Sequence, residues 1–516
     1  MDRTSARARV FEGDEQWDIA IVGGGATGVG VAVDAASRGY RVCLVEQADF
    51  GKGTSSRSTK LVHGGVRYLR QGNVSLVMEA LKERGRLRRN APHLVHDLAF
   101  VVPNYDWWET PFYGIGMKVY DKLAGKYGFG RSRVLTKEET LDRIPTLATE
   151  GLRGGVLYYD GQFDDARLLI SLARTATEQG AALVNYVRCT GLVKDEDGFV
   201  DGLTVEDLES ETSATIRARC VVNATGAFSD AVRRLDDPDA ANMIAPSQGV
   251  HVVLDGRFLG GESAIMVPRT SDGRVLFAIP WHGMTVVGTT DTPIEEVSLE
   301  PRALEEEIQF ILETAQTYLA ETPTRDDVRS VFVGIRPLVK AEGTSSTAAL
   351  SRDHTIHISH SGLLTIAGGK WTTYRNMAED CVDHAATLGR LDEKPCVTKE
   401  LPIHGATEQE HEGPLAVYGS DAEAIAAQGM ERIHPDLPVF WAQLDWAIEH
   451  EMARTVDDLL ARRTRALLLD AKAAMEAAPA VAHRLAEALG QDRMWAERQV
   501  LAFNRIAEGY RLDFEN

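Results

Sequence analysis

The chain has 516 residues, 44% hydrophobic and 26% charged, with a formal net charge of −20. That length is more than one growing core accommodates, so two or three domains are expected. The acidity argues against nucleic acid as a partner, because a phosphate backbone calls for a basic surface. The first 17 residues are polar, carry no apolar signal-like run and read as an N-terminal extension. Asp18 to Glu46 then gives an apolar strand, the turn Gly23-Gly24-Gly25-Ala26-Thr27-Gly28, an Ala/Val-rich helix, a stop at Gly39 and a second apolar strand ending in an acid. Gly23 allows a tight turn, Gly25 lets backbone approach a pyrophosphate, and Gly28 lets helix pack on strand. The helix N-terminus offers N–H groups and a positive dipole end to phosphates, and Glu46 suits the hydroxyls of an unphosphorylated ribose.

A loop rich in glycine and hydroxyls follows, Gly51 to Lys60, with Thr54, Ser55 and Ser56 placed to meet phosphate or flavin edges. It runs into Leu61-Val62-His63-Gly64-Gly65-Val66-Arg67-Tyr68-Leu69, and Val74 to Arg89 reads as a helix with a basic outer face. Ala181 to Val222 reads as strands joined by turns, ending in Asn223-Ala224-Thr225-Gly226, a second small-residue turn where a cofactor can touch backbone. Ala264 to Thr290 carries two strand-turn-strand signals, at Ser271-Asp272-Gly273 and Trp281-His282-Gly283, and predicts an antiparallel sheet. Leu363 to Thr373 repeats the phosphate-turn pattern a third time, with Gly368-Gly369-Lys370 and Thr372. After a linker near Asp392 to Thr407, apolar residues from Trp441 to Leu460 recur at helical spacing.

The fold expected is therefore α/β. A discontinuous Rossmann-like FAD-binding domain takes 18–90, 160–235 and 352–390, and an antiparallel substrate domain takes 91–159 and 236–351. An all-helical domain takes 400–516. Five scattered cysteines contain no Cys-x-x-Cys, which suggests neither disulfides nor zinc and a reducing compartment. No run of 18 apolar residues occurs, so a membrane-spanning helix is not expected. His354, His357 and His360 look like a metal site, but in a strand they alternate faces and cannot converge, so no metal is assigned.

Taken together, Gly23-x-Gly25-x-x-Gly28, Thr54-Ser55-Ser56, Lys60 to Leu69, Gly288-Thr289-Thr290-Asp291, Gly334-Ile335-Arg336-Pro337-Leu338 and Gly368-Gly369-Lys370-Trp371-Thr372-Thr373-Tyr374-Arg375 resemble the FAD-dependent, quinone-linked glycerol-3-phosphate dehydrogenases. The tail segments His450 to Thr455 and Ala461 to Arg465 are similar to that family's C-terminal helical domain. The resemblance implies FAD, oxidation of glycerol 3-phosphate to dihydroxyacetone phosphate, and electron delivery to ubiquinone or menaquinone. It also implies a cytoplasmic protein held peripherally at the inner face of the cell membrane, with a homodimer among the expected partners. An oxygen-using oxidase of glycerol 3-phosphate, or of an amine or amino acid, is the competing activity.

The chemistry needs a hydride acceptor, a group to take the hydroxyl proton and cations for the phosphate. Arg67, Arg336 and Lys370 sit in apolar or glycine-rich motifs where charge is seldom surface decoration, and arginine's fork matches phosphate oxygens. Arg67 and Arg336 are assigned to the substrate, and Lys370 to substrate or flavin edge. Tyr68, Thr289 and Thr290 supply hydroxyls. His251, in the strand after the second turn, is the leading candidate base. His63, Gly64 and Gly65 are assigned to the cofactor with the three glycine turns. The aromatic and lysine-bearing stretch from Trp107-Trp108 to Tyr127 and the basic Lys82 to Arg89 are candidate membrane faces.

Overall fold

A computed structural model describes the chain except for residues 14–15, 66–72, 107–108, 269, 271–273, 341–352, 410 and 514–516. Arg67, Tyr68, the Ser271-Asp272-Gly273 turn and Trp107-Trp108 therefore lie outside the described residues.

The strand Trp17–Val22 is apolar on both faces and buried, the pattern of a central parallel strand. It pairs in parallel with Val42–Glu46 on one side and Thr212–Asn223 on the other. Ala182–Asn185 and Leu364–Gly368 extend the parallel sheet outward, and His354–Ile358 adds an antiparallel edge. Register brings Val22 opposite both Asn223 and Val45, so the strand ends, and the turns that follow them, lie along one edge. The expected turn at Asp195 to Gly198 joins the antiparallel strands Val187–Lys194 and Val200–Asp207. The first residues form a helix, Arg3–Phe11, which buries Ala6 and Val10 and docks through Arg3 and Arg7 on the buried carboxylate of Asp207 (2.9 and 2.6 Å).

A second sheet has ten strands. All its pairs are antiparallel except Ala264–Val267 with Val95–Asn104. The predicted Trp281-His282-Gly283 turn joins Leu276–Trp281 to Met284–Gly288, with His282 and Gly283 both left-handed (φ 47° and 78°) as a tight hairpin requires. The loop leaving Lys60 enters this sheet at once, as Leu61–Val62 beside Gly154–Phe163.

Beyond residue 400 the chain is helical. Trp441–His450 stops where Met452 turns left-handed (φ 55°), and the chain then makes a π-helical segment, Asp458–Arg463. Ala471–Ala488 and Arg493–Ala507 follow. Leu444, Val456, Leu459 and Leu460 are fully buried and form one apolar core with Trp281, Val286 and Phe332 of the second sheet, so the tail shares its core with that sheet.

Candidate active site

The ends of three parallel strands meet at one cavity of about 400 Å³. Gly23 and Gly25 follow the first strand, Ala224 and Gly226 the second, and Gly368 and Gly369 the third; all six line the cavity. Gly23 has φ 113°, and a Cβ there would lie 2.6 Å from the Ala224 carbonyl oxygen, so the first two turns touch through backbone. A Cβ on Gly28 would sit 1.9 Å from the Gly23 oxygen, which is why the helix Ala26–Ser37 begins with glycine against the turn. Ser55 Oγ accepts the Ala26 N–H at 2.9 Å and, with Thr54, lines the cavity. Glu46 lines it too; its carboxylate accepts the Gly24 and Ala48 amides (2.6 and 2.8 Å), and burial raises its pKa. Ser56 does not reach the cavity and is buried behind the loop.

These residues fit FAD. Three turns with close backbone approach, a helix N-terminus and an acid at the end of the second strand form the cradle a dinucleotide needs. Such a bound flavin would be gripped mainly by backbone, with Lys370 and Trp371 at the third turn.

A second cavity of about 700 Å³ abuts the first: Arg336 lines one and its neighbour Pro337 the other. Its polar lining includes Thr59, His63, Thr289, Thr290, Asp291 and Arg336; Phe100, Tyr113, Met117 and Phe277 are among its apolar residues. The Arg336 side chain is 23% exposed. Its guanidinium donates to the Thr290 carbonyl (3.0 Å) and Thr289 Oγ1 (3.2 Å) and pairs with Asp291 (3.3 Å). Gly249 makes room for it, since a Cβ there would lie 2.4 Å from Arg336 Nη2. The fork is thus fixed in direction by strand partners, as two-point recognition of a phosphate or carboxylate requires.

Three expectations change in the structure. Lys370 lines the first cavity and not the second, so the expected cationic cluster is divided, with Arg336 toward the substrate side and Lys370 toward the cofactor. His251 is 2% exposed and does not line either cavity. Its Nε2 meets Thr59 Oγ1 at 2.9 Å, its ring stacks on Phe332 at 4.7 Å, and Thr59 is what reaches the cavity. Burial, reinforced by the charges of Lys60 and Arg336, holds its pKa well below the ordinary histidine value. The reason is register: His251 lies opposite Gly288 and Phe332 in the middle of the sheet, which a strand pattern alone does not reveal. His63, expected at the cofactor, instead lines the second cavity with Gly65, while its amide donates to Thr372 Oγ1 at 3.3 Å and so ties that wall to the third turn. Gly64 reaches neither cavity; its amide donates to Tyr120 Oη at 2.9 Å.

Sequence reasoning missed Asp160, which lines the second cavity and accepts from Tyr120 Oη (2.8 Å) and Arg84 Nη1 (2.5 Å). An acid within the apolar run Val156-Leu157-Tyr158-Tyr159-Asp160 was the available signal. Among the described residues no group of His, Cys, Asp and Glu side chains could hold a metal ion; His354 of the three-histidine strand pairs with Asp380 at 2.8 Å.

Residues 18–375 match the family described as FAD dependent oxidoreductase, and residues 361–496 match the C-terminal domain of alpha-glycerophosphate oxidase. The mitochondrial glycerol-3-phosphate dehydrogenase of Homo sapiens is 40% identical over 531 residues, covering 95% of this chain and 72% of that protein. A probable mitochondrial glycerol-3-phosphate dehydrogenase of Caenorhabditis elegans is 41% identical, covering 92% and 71%. The solved glycerol-3-phosphate dehydrogenase of Bacillus halodurans, complexed with FAD, superposes with a TM-score of 0.81 at 30% identity over 100% of this chain and 98% of that one. An L-proline dehydrogenase from P. horikoshii shares the fold alone (TM-score 0.55, 16% identity, 76% of this chain and 96% of that one). A cradle of three backbone turns, a cavity beside it directed by Arg336, and these likenesses over nearly the whole length place the chain in the family of FAD-dependent glycerol-3-phosphate dehydrogenases.

Proposed function

We propose that the protein oxidises sn-glycerol 3-phosphate to dihydroxyacetone phosphate in the second cavity and passes the electrons to a membrane quinone. The observation that carries this is Arg336, a strand-fixed guanidinium lining a cavity that abuts the cofactor cradle. Bound FAD supplies the hydride acceptor, the flavin N5. Arg336 holds the phosphate, with Thr289 and Thr290 orienting substrate oxygens. His63, a histidine at the wall of this cavity, takes the hydroxyl proton in place of the buried His251. Lys370 serves the cofactor. Arg67 and Tyr68 join the substrate set on the family resemblance. The parallel sheet then belongs to the cofactor domain and the antiparallel sheet to the substrate domain.

The quinone reading rests on the helix Glu109–Ala124. Phe112, Ile115 and Val119 are 51%, 67% and 45% exposed yet also line the second cavity, so one apolar surface runs from solvent to the site. A lipid-soluble acceptor and a peripheral membrane contact both suit such a face. No helix among the described residues is long and apolar enough to cross a membrane.

Anaerobic addition of glycerol 3-phosphate to the flavin-loaded protein should bleach the yellow flavin, and a soluble quinone analogue should restore it. Bleaching by an amino acid instead would overturn the substrate. The match of 361–496 to an oxidase domain supports one competing reading, direct transfer to oxygen; peroxide formed at the rate of substrate loss would establish it.

A further inference from the structure

Behind the loop that carries Thr54, Ser55 and Ser56 lies a fully enclosed group of charges. Lys60, Asp165 and Arg465 are all buried. Lys60 Nζ donates to Asp165 Oδ2 (2.7 Å) and to the Ser56 carbonyl (2.8 Å). Arg465 Nη2 donates to Asp165 Oδ1 (2.9 Å) and to the same Ser56 carbonyl (2.7 Å). The Trp281 ring faces both cations, at 5.3 and 5.4 Å from its centroid. Asp165 also accepts the amide and hydroxyl of Ser58 (2.9 and 2.7 Å). One carboxylate, one carbonyl and one indole are therefore each shared by two cations that are 405 residues apart in sequence.

Both cations are also held in left-handed backbone, Lys60 at φ 63° and Arg465 at φ 65°. Unbranched or not, a side-chain-bearing residue pays for that conformation, and it persists where surrounding contacts over-determine it, often at functional sites. Burying an ion pair gives little net stability on its own, so two strained cations on one carboxylate are poorly explained by stability alone.

We propose that Lys60, Asp165 and Arg465 are positioning residues for the cofactor. They clamp the Ser56 carbonyl and through it the Thr54–Ser56 wall of the cradle, so the docked C-terminal segment, by way of Arg465, completes the FAD site. The proposal rests on the placing of FAD in the first cavity.

The test is FAD retention by the purified holoenzyme, read as flavin fluorescence released on dilution, with thermal unfolding of the same samples. Arg465→Met and Lys60→Met each leave Asp165 one cation. Each should lose FAD at least tenfold more readily than wild type, and Arg465→Lys should recover part of the loss. Variants that lower the unfolding temperature yet hold FAD as wild type does would overturn the proposal, because a purely structural triad predicts that result. If both methionine variants fail to fold, Arg465→Lys decides by the same measurement: unchanged retention overturns the proposal, and faster release supports it. Gly25→Val is the control for the underlying placement, since a side chain there enters the cradle beside Ser55. If Gly25→Val keeps its FAD, the placement of the cofactor has failed; if it loses FAD while Arg465→Met does not, the triad alone has failed.

Discussion

The two abutting cavities are built by different means. The first is walled largely by backbone, from three turns at strand ends where glycine lets chain approach chain. The second is walled by side chains delivered from strands far apart in sequence, Thr59, His63, Thr289 and Arg336 among them. A backbone cradle is insensitive to most side-chain changes and intolerant of an added Cβ. A side-chain cavity tolerates small backbone changes and depends on single charges.

That contrast is broken or sharpened by substitution. Gly23→Ala should have the largest effect, because the new Cβ meets the Ala224 oxygen at 2.6 Å in a left-handed turn. Strain of about 3 kcal/mol would cut FAD affinity by roughly 100-fold, measured as flavin bound per protein. Arg336→Met should leave FAD content unchanged and lower kcat/KM for glycerol 3-phosphate by about 30- to 150-fold, the loss expected for charge-assisted hydrogen bonds of about 2–3 kcal/mol. Lys370→Met should do the converse: FAD retention falls about tenfold while KM stays within about twofold. If it raises KM as Arg336→Met does, the division of cations between the cavities is wrong.

His251→Gln should have the smallest effect, a kcat within about threefold of wild type, since the ring does not reach the cavity. Its signature is in stability instead. The folded state keeps His251 neutral because its pKa is depressed, so below the ordinary histidine value the unfolded chain binds more protons than the folded one. Stability is therefore lost as pH falls, by about 2 kcal/mol for this residue near pH 5. His93, held down to about 3 chiefly by burial, adds a loss of the same sign. The glutamine variant should lose less unfolding temperature between about pH 7 and pH 5 than wild type; an unchanged slope would place the histidine in a more open setting.

The cofactor cradle was legible because its code is local. Strand, Gly23-x-Gly25-x-x-Gly28, helix and Glu46 occupy 29 consecutive positions, and Asn223 to Gly226 and Gly368-Gly369 repeat the pattern at strand ends. The antiparallel sheet was legible from its hairpin at Trp281-His282-Gly283. What was not legible depends on partners brought in from elsewhere. His251 is buried because Phe332 and Gly288 are its register neighbours, and Arg336 and Lys370 part company because their strands belong to different sheets. The helix Arg3–Phe11 hides in a polar sequence because an ion pair to Asp207, some 200 residues away, docks it. The arginines of Ala461 to Arg465 read as a basic surface run, yet Arg462 and Arg463 are buried on Asp49, beside the cofactor loop.

The central claim is that a fixed guanidinium next to the flavin cradle selects a phosphorylated alcohol. Rapid-mixing measurement of flavin reduction, comparing glycerol 3-phosphate with glycerol in wild type and Arg336→Met, tests it most directly. Wild type should be reduced by glycerol 3-phosphate and negligibly by glycerol, and Arg336→Met should lose most of that preference. A variant that discriminates between the two alcohols as sharply as wild type would contradict the account.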